Sequence, residues 1–308
     1  GGQTLPRCRW ARLNPTARRL VFSPELLLAG LGLGAAYALA ALGFVLIINA
    51  VGAVNFTQGD FVMAGGYVAV VVTALLPPSL APGLLALPLV LVAMAVLGLL
   101  FSALAYLPLR GQPAVAVFIS TIAVGLILRQ SVNAVFGAAP RAGPPVLTPE
   151  MAGAMFSQVA TIAAAALLVA AVHGLLKHTQ FGRHLRASAQ DPEMAAAIGV
   201  PVTWMVMATF ALATALAGVA GLLLSHVYLV QPEDGTTYML KAYIAVTLGG
   251  WGRVGGAVLG ALAIAVFETL VAALVSQVMA EVLLYLLVLA VLLWRPQGLM
   301  GEIAGRRA

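Results

Sequence analysis

The chain has 308 residues, 62% of them hydrophobic and 8% charged, with a formal net charge of +6 and a mean hydropathy of +1.04. A soluble domain carries about 25% charged residues, so a soluble enzyme fold is excluded and a polytopic membrane protein is the frame. The excess arginines stand at the ends of apolar segments, which suits loops beside anionic lipid and excludes nucleic acid as the partner.

Residues 1–20 hold Arg7, Arg9, Arg12, Arg18 and Arg19. Residues 1–25 read as a basic N-terminal segment, partly trimmed or disordered, since the chain opens on glycine and not on methionine. The run 26–48 is long enough to span a bilayer, and no cleavage site closes it. A retained first helix is therefore expected and not a secretory signal. Everything from 26 to 308 reads as one transmembrane domain.

About 20 residues rising 1.5 Å each cross a 30 Å hydrocarbon core. That criterion predicts spans near 26–48, 59–76, 84–106, 113–135, 155–176, 202–224, 255–274 and 278–294, with a shorter apolar piece at 238–250. The bundle is expected to have about 8–10 segments, some short or broken. Long apolar runs parted by short polar ones predict helices, because barrel strands would alternate over roughly ten residues.

In the first span, Gly30, Gly34 and Ala38 lie four apart. Small residues at that spacing permit close helix packing, or a part in lining a solute path. The stretch NAVGAVNFTQGDF (49–61) follows, and its Asn49, Asn55, Thr57, Gln58 and Asp60 would be costly facing lipid. It reads as a broken helix, a solute contact or an interfacial turn. Pro77, Pro78 and Pro82 mark one turn, PLRGQP (108–113) another, and AAPRAGPPVLTPE (138–150) a longer loop.

The polar segment KHTQFGRHLRASAQDPEMAAAIGVP occupies 177–201. Asp191 suits a helix N-cap, Pro192 the first helical position, Glu193 the dipole-favoured first turn and Gly199 the C-cap. Arg183 and Arg186 lie three apart, and Ala195, Ala196, Ala197 and Ile198 offer a small apolar surface. Such a segment is either a compact knob for a cleft on a partner or a solvated loop.

Lys177, Arg183 and Arg186 put this segment inside, and Arg295, Arg306 and Arg307 put the C-terminus inside as well. An even number of crossings must separate them, so 238–250 is expected to cross as an incomplete helix shielded from lipid. Counting back from Lys177 puts Arg110 inside and Arg141 outside. The N-terminal arginines are then outside, unless 49–60 hides a partial crossing.

The stretch LGGWGRVGGAVLGALAIAVFE (248–268) crowds Gly249, Gly250, Gly252, Gly255 and Gly256 around Arg253. It reads as a tight reversal after the short crossing. It is not a phosphate loop: no GxxxxGK[ST] occurs, and the only lysines are Lys177 and Lys241. Glu268 and Glu281 fall near span ends, as interfacial or helix-paired carboxylates or as a proton relay. Cys8 is the single cysteine, and His173, His178, His184 and His226 are scattered, so no metal-ligand spacing is present.

Five ordered stretches carry a resemblance. AGLGLGAAYALAALGFVLI, NFTQGD, TQFGRHLRASAQDPEMAAAIGV, TLGGWGRVGGAVLGA and RPQGLMG resemble, in that order, motifs of the branched-chain amino acid ABC importer permeases of the LivH/LivM type, closer to LivH. The resemblance begins near residue 26 and covers the rest of the chain. It departs at Gln58, where the family's NFAHG element has histidine, at Asp60 beside it, and at Trp251 and Arg253 in the glycine turn.

The resemblance implies a non-enzymatic permease subunit of an ATP-driven importer in the bacterial cytoplasmic (inner) membrane. It implies a second homologous permease, two cytoplasmic ATPase subunits and a periplasmic or extracellular solute-binding protein as partners. ATP and magnesium would be bound by the ATPases, with no cofactor in this chain. Carried over by position, Gly182, Arg183, Arg186, Ala187 and Gly199 belong to the ATPase-coupling element near 177–201, and Asp191, its expected cap, is counted with them. Asn55, Thr57, Gln58, Asp60, Gly249 and Gly250 are the residues expected along the translocation path or its broken helices. Branched-chain amino acids are the default solutes, with other amino acids, urea and short amides also carried by such permeases. The alternative from another class is a stand-alone ion-coupled transporter or channel using Asp60, Glu268 or Glu281.

Overall fold

The computed structural model describes residues 24–75, 82–144, 149–295 and Gly298. The arginines of 1–20, Pro77 and Pro78, part of the proline-rich loop, Arg306 and Arg307, and most of RPQGLMG lie outside them. Among the described residues eleven α-helices follow one another: α1 (Pro24–Val51), α2 (Gln58–Leu75), α3 (Pro82–Phe101), α4 (Ala114–Phe136), α5 (Pro149–His178), α6 (Gln180–Gln190), α7 (Pro192–Ala197), α8 (Val202–Ser225), α9 (Asp234–Gly249), α10 (Val254–Leu274) and α11 (Gln277–Trp294). Eight of them are long and apolar enough to cross a membrane, all except α6, α7 and α9. The fold is an all-α polytopic bundle.

Burial sorts the helices by their small residues. α1 and α8 are apolar along most of their length and carry side chains such as Leu39, Leu42, Leu216 and Leu222 that are at most 1% exposed, so these two helices form the centre. α4 and α11 point Leu126, Ile127, Leu286 and Leu289 outward, as lipid-facing or partner-facing helices do. Gly30 meets Thr269, Gly34 meets Leu262 and Ala265, and Asn49 Nδ2 donates to Gly252 O at 3.0 Å. α1 and α10 therefore run antiparallel in close contact, and the glycine spacing in α1 serves packing. α3 lies antiparallel to α8, with Gly98 on Phe210 and Thr214 and Met94 on Gly218.

α2 and α9 both begin partway through the bundle. The Gln58 amide donates to Ala40 O and Ala213 O, each at 3.4 Å, close to the midpoints of α1 and α8. Ala40 lies about three helical turns before the end of α1. The chain from Gly52 to Thr57 returns that distance without helix, and the run read as a full span from 59 starts at mid-depth. Gly59 then packs on Gly235 and Met239, so the first turns of α2 and α9 meet. α9 has 16 residues, about 24 Å at 1.5 Å per residue, and its interior is buried by α1, α2 and α10. It is a short helix shielded by its neighbours, as expected of the piece at 238–250.

α1 starts at the end of the bundle opposite residues 177–201, since its final turns reach the Gly250–Gly252 reversal while its first turns reach Thr269. The segment 52–57 together with α2 makes one crossing, so no extra partial crossing lies between α1 and α2. At the opposite end, Arg141 and Val230 exchange backbone hydrogen bonds of 3.0 and 2.7 Å. They tie the loop after α4 to the loop before α9.

Candidate functional site

Residues 179–205 fold into a capped knob at one end of the bundle. Thr179 caps α6, its side chain accepting from Gly182 N. Asp191 caps α7, Oδ1 accepting from Glu193 N and Met194 N, both at 3.0 Å. Pro192 takes the first helical position, and Gly199 turns the chain at φ +87°, a conformation that a side chain would strain. Ala195, Val200, Val202 and Met205 form a small core against Phe181 and Ala187. The segment is thus a built knob and not a solvated loop.

The two arginines three residues apart are used differently. Arg186 donates to Leu176 O at the end of α5, and Gly182 is packed so closely on the same carbonyl that a Cβ would overlap it. Both residues therefore pin α6 to α5, while Ala187 turns inward. Arg183 is exposed. Ala195 is buried, and the exposed apolar atoms belong to Met194 (64% exposed) and Ile198 (75%). Beside them, Arg110, Pro192, Ala196, Pro201, Thr203 and Trp204 line a groove of about 570 Å³, with Arg110 donating to Thr203 Oγ1 at 3.2 Å.

The second cluster lies at mid-depth, where α2 and α9 begin. Asn55 Oδ1 accepts from Thr57 N at 3.1 Å, and Thr57 Oγ1 donates to Thr121 O of α4 at 2.6 Å. Asn55, Thr57, Gln58 and Asp60 are all buried, so the polar residues of the break are brought together inside protein, away from lipid. Asn55 Nδ2 and Gln58 Oε1 have no hydrogen-bond partner. Asp60 meets a residue that sequence reading missed: Arg129 of α4 donates to its Oδ1 from Nε at 3.1 Å and from Nη2 at 2.8 Å. Asp60, Arg129, Phe56, Leu126, Met239 and Tyr243 line a cleft of about 480 Å³ between α4 and α9.

Gly249 and Gly250 lie apart from this cluster, at the α9–α10 reversal. Gly250 has φ +101° and makes the turn. Gly249 and Gly256 press backbone against backbone, so a Cβ on either would overlap the other's carbonyl. Trp251 stacks edge-on against Tyr243 at 5.7 Å between ring centroids.

A third polar group sits between α1, α9, α10 and α11. Lys241 Nζ donates to Glu268 Oε1 at 2.6 Å and to Tyr37 Oη at 2.9 Å. Tyr37 donates to Glu268 Oε2 at 3.3 Å, and Gln277 Nε2 to Oε1 at 3.0 Å. Glu268 is therefore helix-paired deep inside protein, although its place near a span end suggested access to water. An intramembrane charge signals a partner, so Lys241 alone in an apolar run could have prompted the search for it. Among the described residues no group of three or more His, Cys, Asp and Glu could hold a metal ion.

Residues 26–292 match the model of the family described as branched-chain amino acid transport system / permease component. The chain is 29% identical to the high-affinity branched-chain amino acid transport system permease protein LivH of Escherichia coli strain K12, over 89% of this chain and 94% of that one. It is 30% identical to permease protein BraD of Pseudomonas aeruginosa, over 90% and 95% of the two chains. It is 29% identical to the probable LivH of Methanocaldococcus jannaschii, over 85% and 88%. No solved structure matches. A bundle with mid-depth helix starts, a capped knob at one end and a family match from α1 to α11 leave one assignment: the chain belongs to the branched-chain amino acid transport system permease family.

Proposed function

We propose that this chain is a membrane-spanning permease subunit of an ATP-driven importer for branched-chain or other small amino acids in the cytoplasmic membrane. It would form the translocation path with a second homologous permease, take solute from an external binding protein, and dock two ATPases at residues 177–201. The observation that carries this reading, beyond the family, is the knob itself. Its caps and small core hold α6 and α7 rigid, yet Arg183, Met194 and Ile198 remain exposed on it. An exposed apolar pair flanked by a charge suits the cleft of a partner better than water.

The knob is also connected to the mid-depth cluster. Gly182 and Arg186 hold α6 to α5, and the Ala195–Val200–Met205 core holds α7 to the start of α8. α8 in turn carries Ala213, whose carbonyl accepts from Gln58 at the first turn of α2. Movement of docked ATPases would reach Asp60 through α8, which gives alternating access a mechanical route from the ATPases to the solute path. The path would run along the cleft beside Asn55, Thr57, Gln58 and Asp60, while Gly249 and Gly250 shape the reversal that holds α9 on α10. ATP and magnesium would stay in the ATPases.

Sealed vesicles containing the reconstituted complex test this reading. ATP inside the ATPase compartment with binding protein on the other side should drive L-leucine accumulation without any ion gradient. Accumulation driven by a proton or sodium gradient, and indifferent to ATP, would sink it.

A further inference from the structure

We infer that Arg129 and Asp60 are an exchangeable pair that selects zwitterions: a solute's carboxylate takes the place of Asp60 on Arg129, and its ammonium takes the place of Arg129 on Asp60. The inference rests on the importer reading above and adds the residues that would decide which solutes pass.

The geometry is built for it. Asp60 is held between two glycines on different helices, Gly125 of α4 and Gly235 of α9, where a Cβ on either would overlap its carboxylate. It sits in the first turn of α2 and against the first turn of α9, where helix dipoles favour an anion. Both Arg129 hydrogen bonds land on the single oxygen Oδ1, short of the parallel two-oxygen fork that a guanidinium makes at its strongest with a carboxylate. The guanidinium extends toward Glu233, Nη1 lying 3.9 Å from Oε2 of that exposed side chain. Around the pair, Ile122 and Leu126 on its own helix α4 and Met239, Leu240 and Tyr243 of α9 give the cleft apolar walls. One acid and one base in a cleft otherwise lined mainly by hydrocarbon match a small amino acid with an apolar side chain.

The energetics favour exchange over simple addition. A zwitterion that inserts between Asp60 and Arg129 leaves every buried charge paired. A carboxylate alone would pair Arg129 and orphan Asp60, and an amine alone would do the reverse. An unpaired buried charge is strongly penalised, and sites built on buried polar groups reject analogues that leave those groups unsatisfied. Arg129 and Asp60 would therefore act together, and either change alone should cost more than the two made at once.

The test uses the purified permease–ATPase complex, heated in detergent with millimolar L-leucine, isocaproate (the carboxylate without the ammonium) or isopentylamine (the ammonium without the carboxylate). A ligand that binds the folded state raises its unfolding midpoint. L-leucine should raise it while the two analogues leave it unmoved, and Asp60→Asn with Arg129→Gln in one chain should abolish the leucine shift and lower vesicle import roughly tenfold or more. The paired neutral variant keeps the test open where either single variant fails to fold. Equal shifts from leucine and an analogue would overturn the inference, as would a double variant that retains both shift and import. So would the lack of any leucine shift in a complex that imports leucine. A wild-type complex that imports no leucine under ATP would instead fail the importer reading itself.

Discussion

Among the described residues two acid–base pairs lie inside this bundle, and they are finished differently. Lys241 and Glu268 have side chains 6% and 3% exposed, with Tyr37 and Gln277 filling further hydrogen-bonding positions on Glu268. Asp60 and Arg129 are 4% and 15% exposed, and a cleft opens on one side of them. A sealed and satisfied pair ties α1, α9, α10 and α11 into one body. A pair open on one side can trade partners. The same chemistry thus serves as a rivet at one place and as a recognition element at the other, and access decides which.

The largest effect should come from half of the rivet. Lys241→Ala leaves Glu268 charged and uncompensated, at about 3–5 kcal/mol, and should remove most folded protein from size-exclusion profiles after mild heating. Lys241→Met with Glu268→Gln, neutral on both sides, should recover much of that loss. A single variant as stable as wild type would break the contrast. The backbone contact that holds the rivet's helices comes next. Gly249→Val, whose Cβ would overlap Gly256 O, should cost about 1–3 kcal/mol from overpacking in the same heating series. Arg129→Gln should cost less folding stability than Lys241→Ala, because water in the cleft can reach the Asp60 it leaves behind. Equal losses for the two would erase the distinction between sealed and open pairs. Asp191→Ala should be smallest, about 1 kcal/mol for a lost N-cap, with both pairs intact. Amide exchange confined to α7 would show it.

How legible each part was in the sequence follows from how local its causes are. The α6–α7 knob could be read because its caps, Asp191 and Gly199, act on neighbours within a few residues. The short, shielded helix α9 was legible from its length and from the charges on either side of it. The depth at which α2 begins was not. The run from 59 has the composition of a full span, and only the contact of Gln58 with Ala40 and Ala213 sets its level. The pairs were hidden for the same reason: Arg129 finds Asp60 across 69 positions, and Lys241 finds Glu268 across 27. A lone charge in an apolar helix announces that a partner exists without saying where. The role of Arg186 was also nonlocal, since its hydrogen bond to Leu176 O depends on the angle between α5 and α6.

The central claim is that the knob is where energy enters the permease. Met194→Asp with Ile198→Lys places two charges on its exposed apolar face; both side chains are exposed and the lysine suits the C-terminus of α7, so stability should shift by only about 0.5 kcal/mol. The measurement is co-purification of the ATPases, expressed with this chain and its partner permease from their native surroundings, through a tag on this chain. The account predicts that wild type brings the ATPases down and that the doubly charged variant comes down without them, at the same yield and the same elution volume. ATPases retained in full by that variant would contradict it.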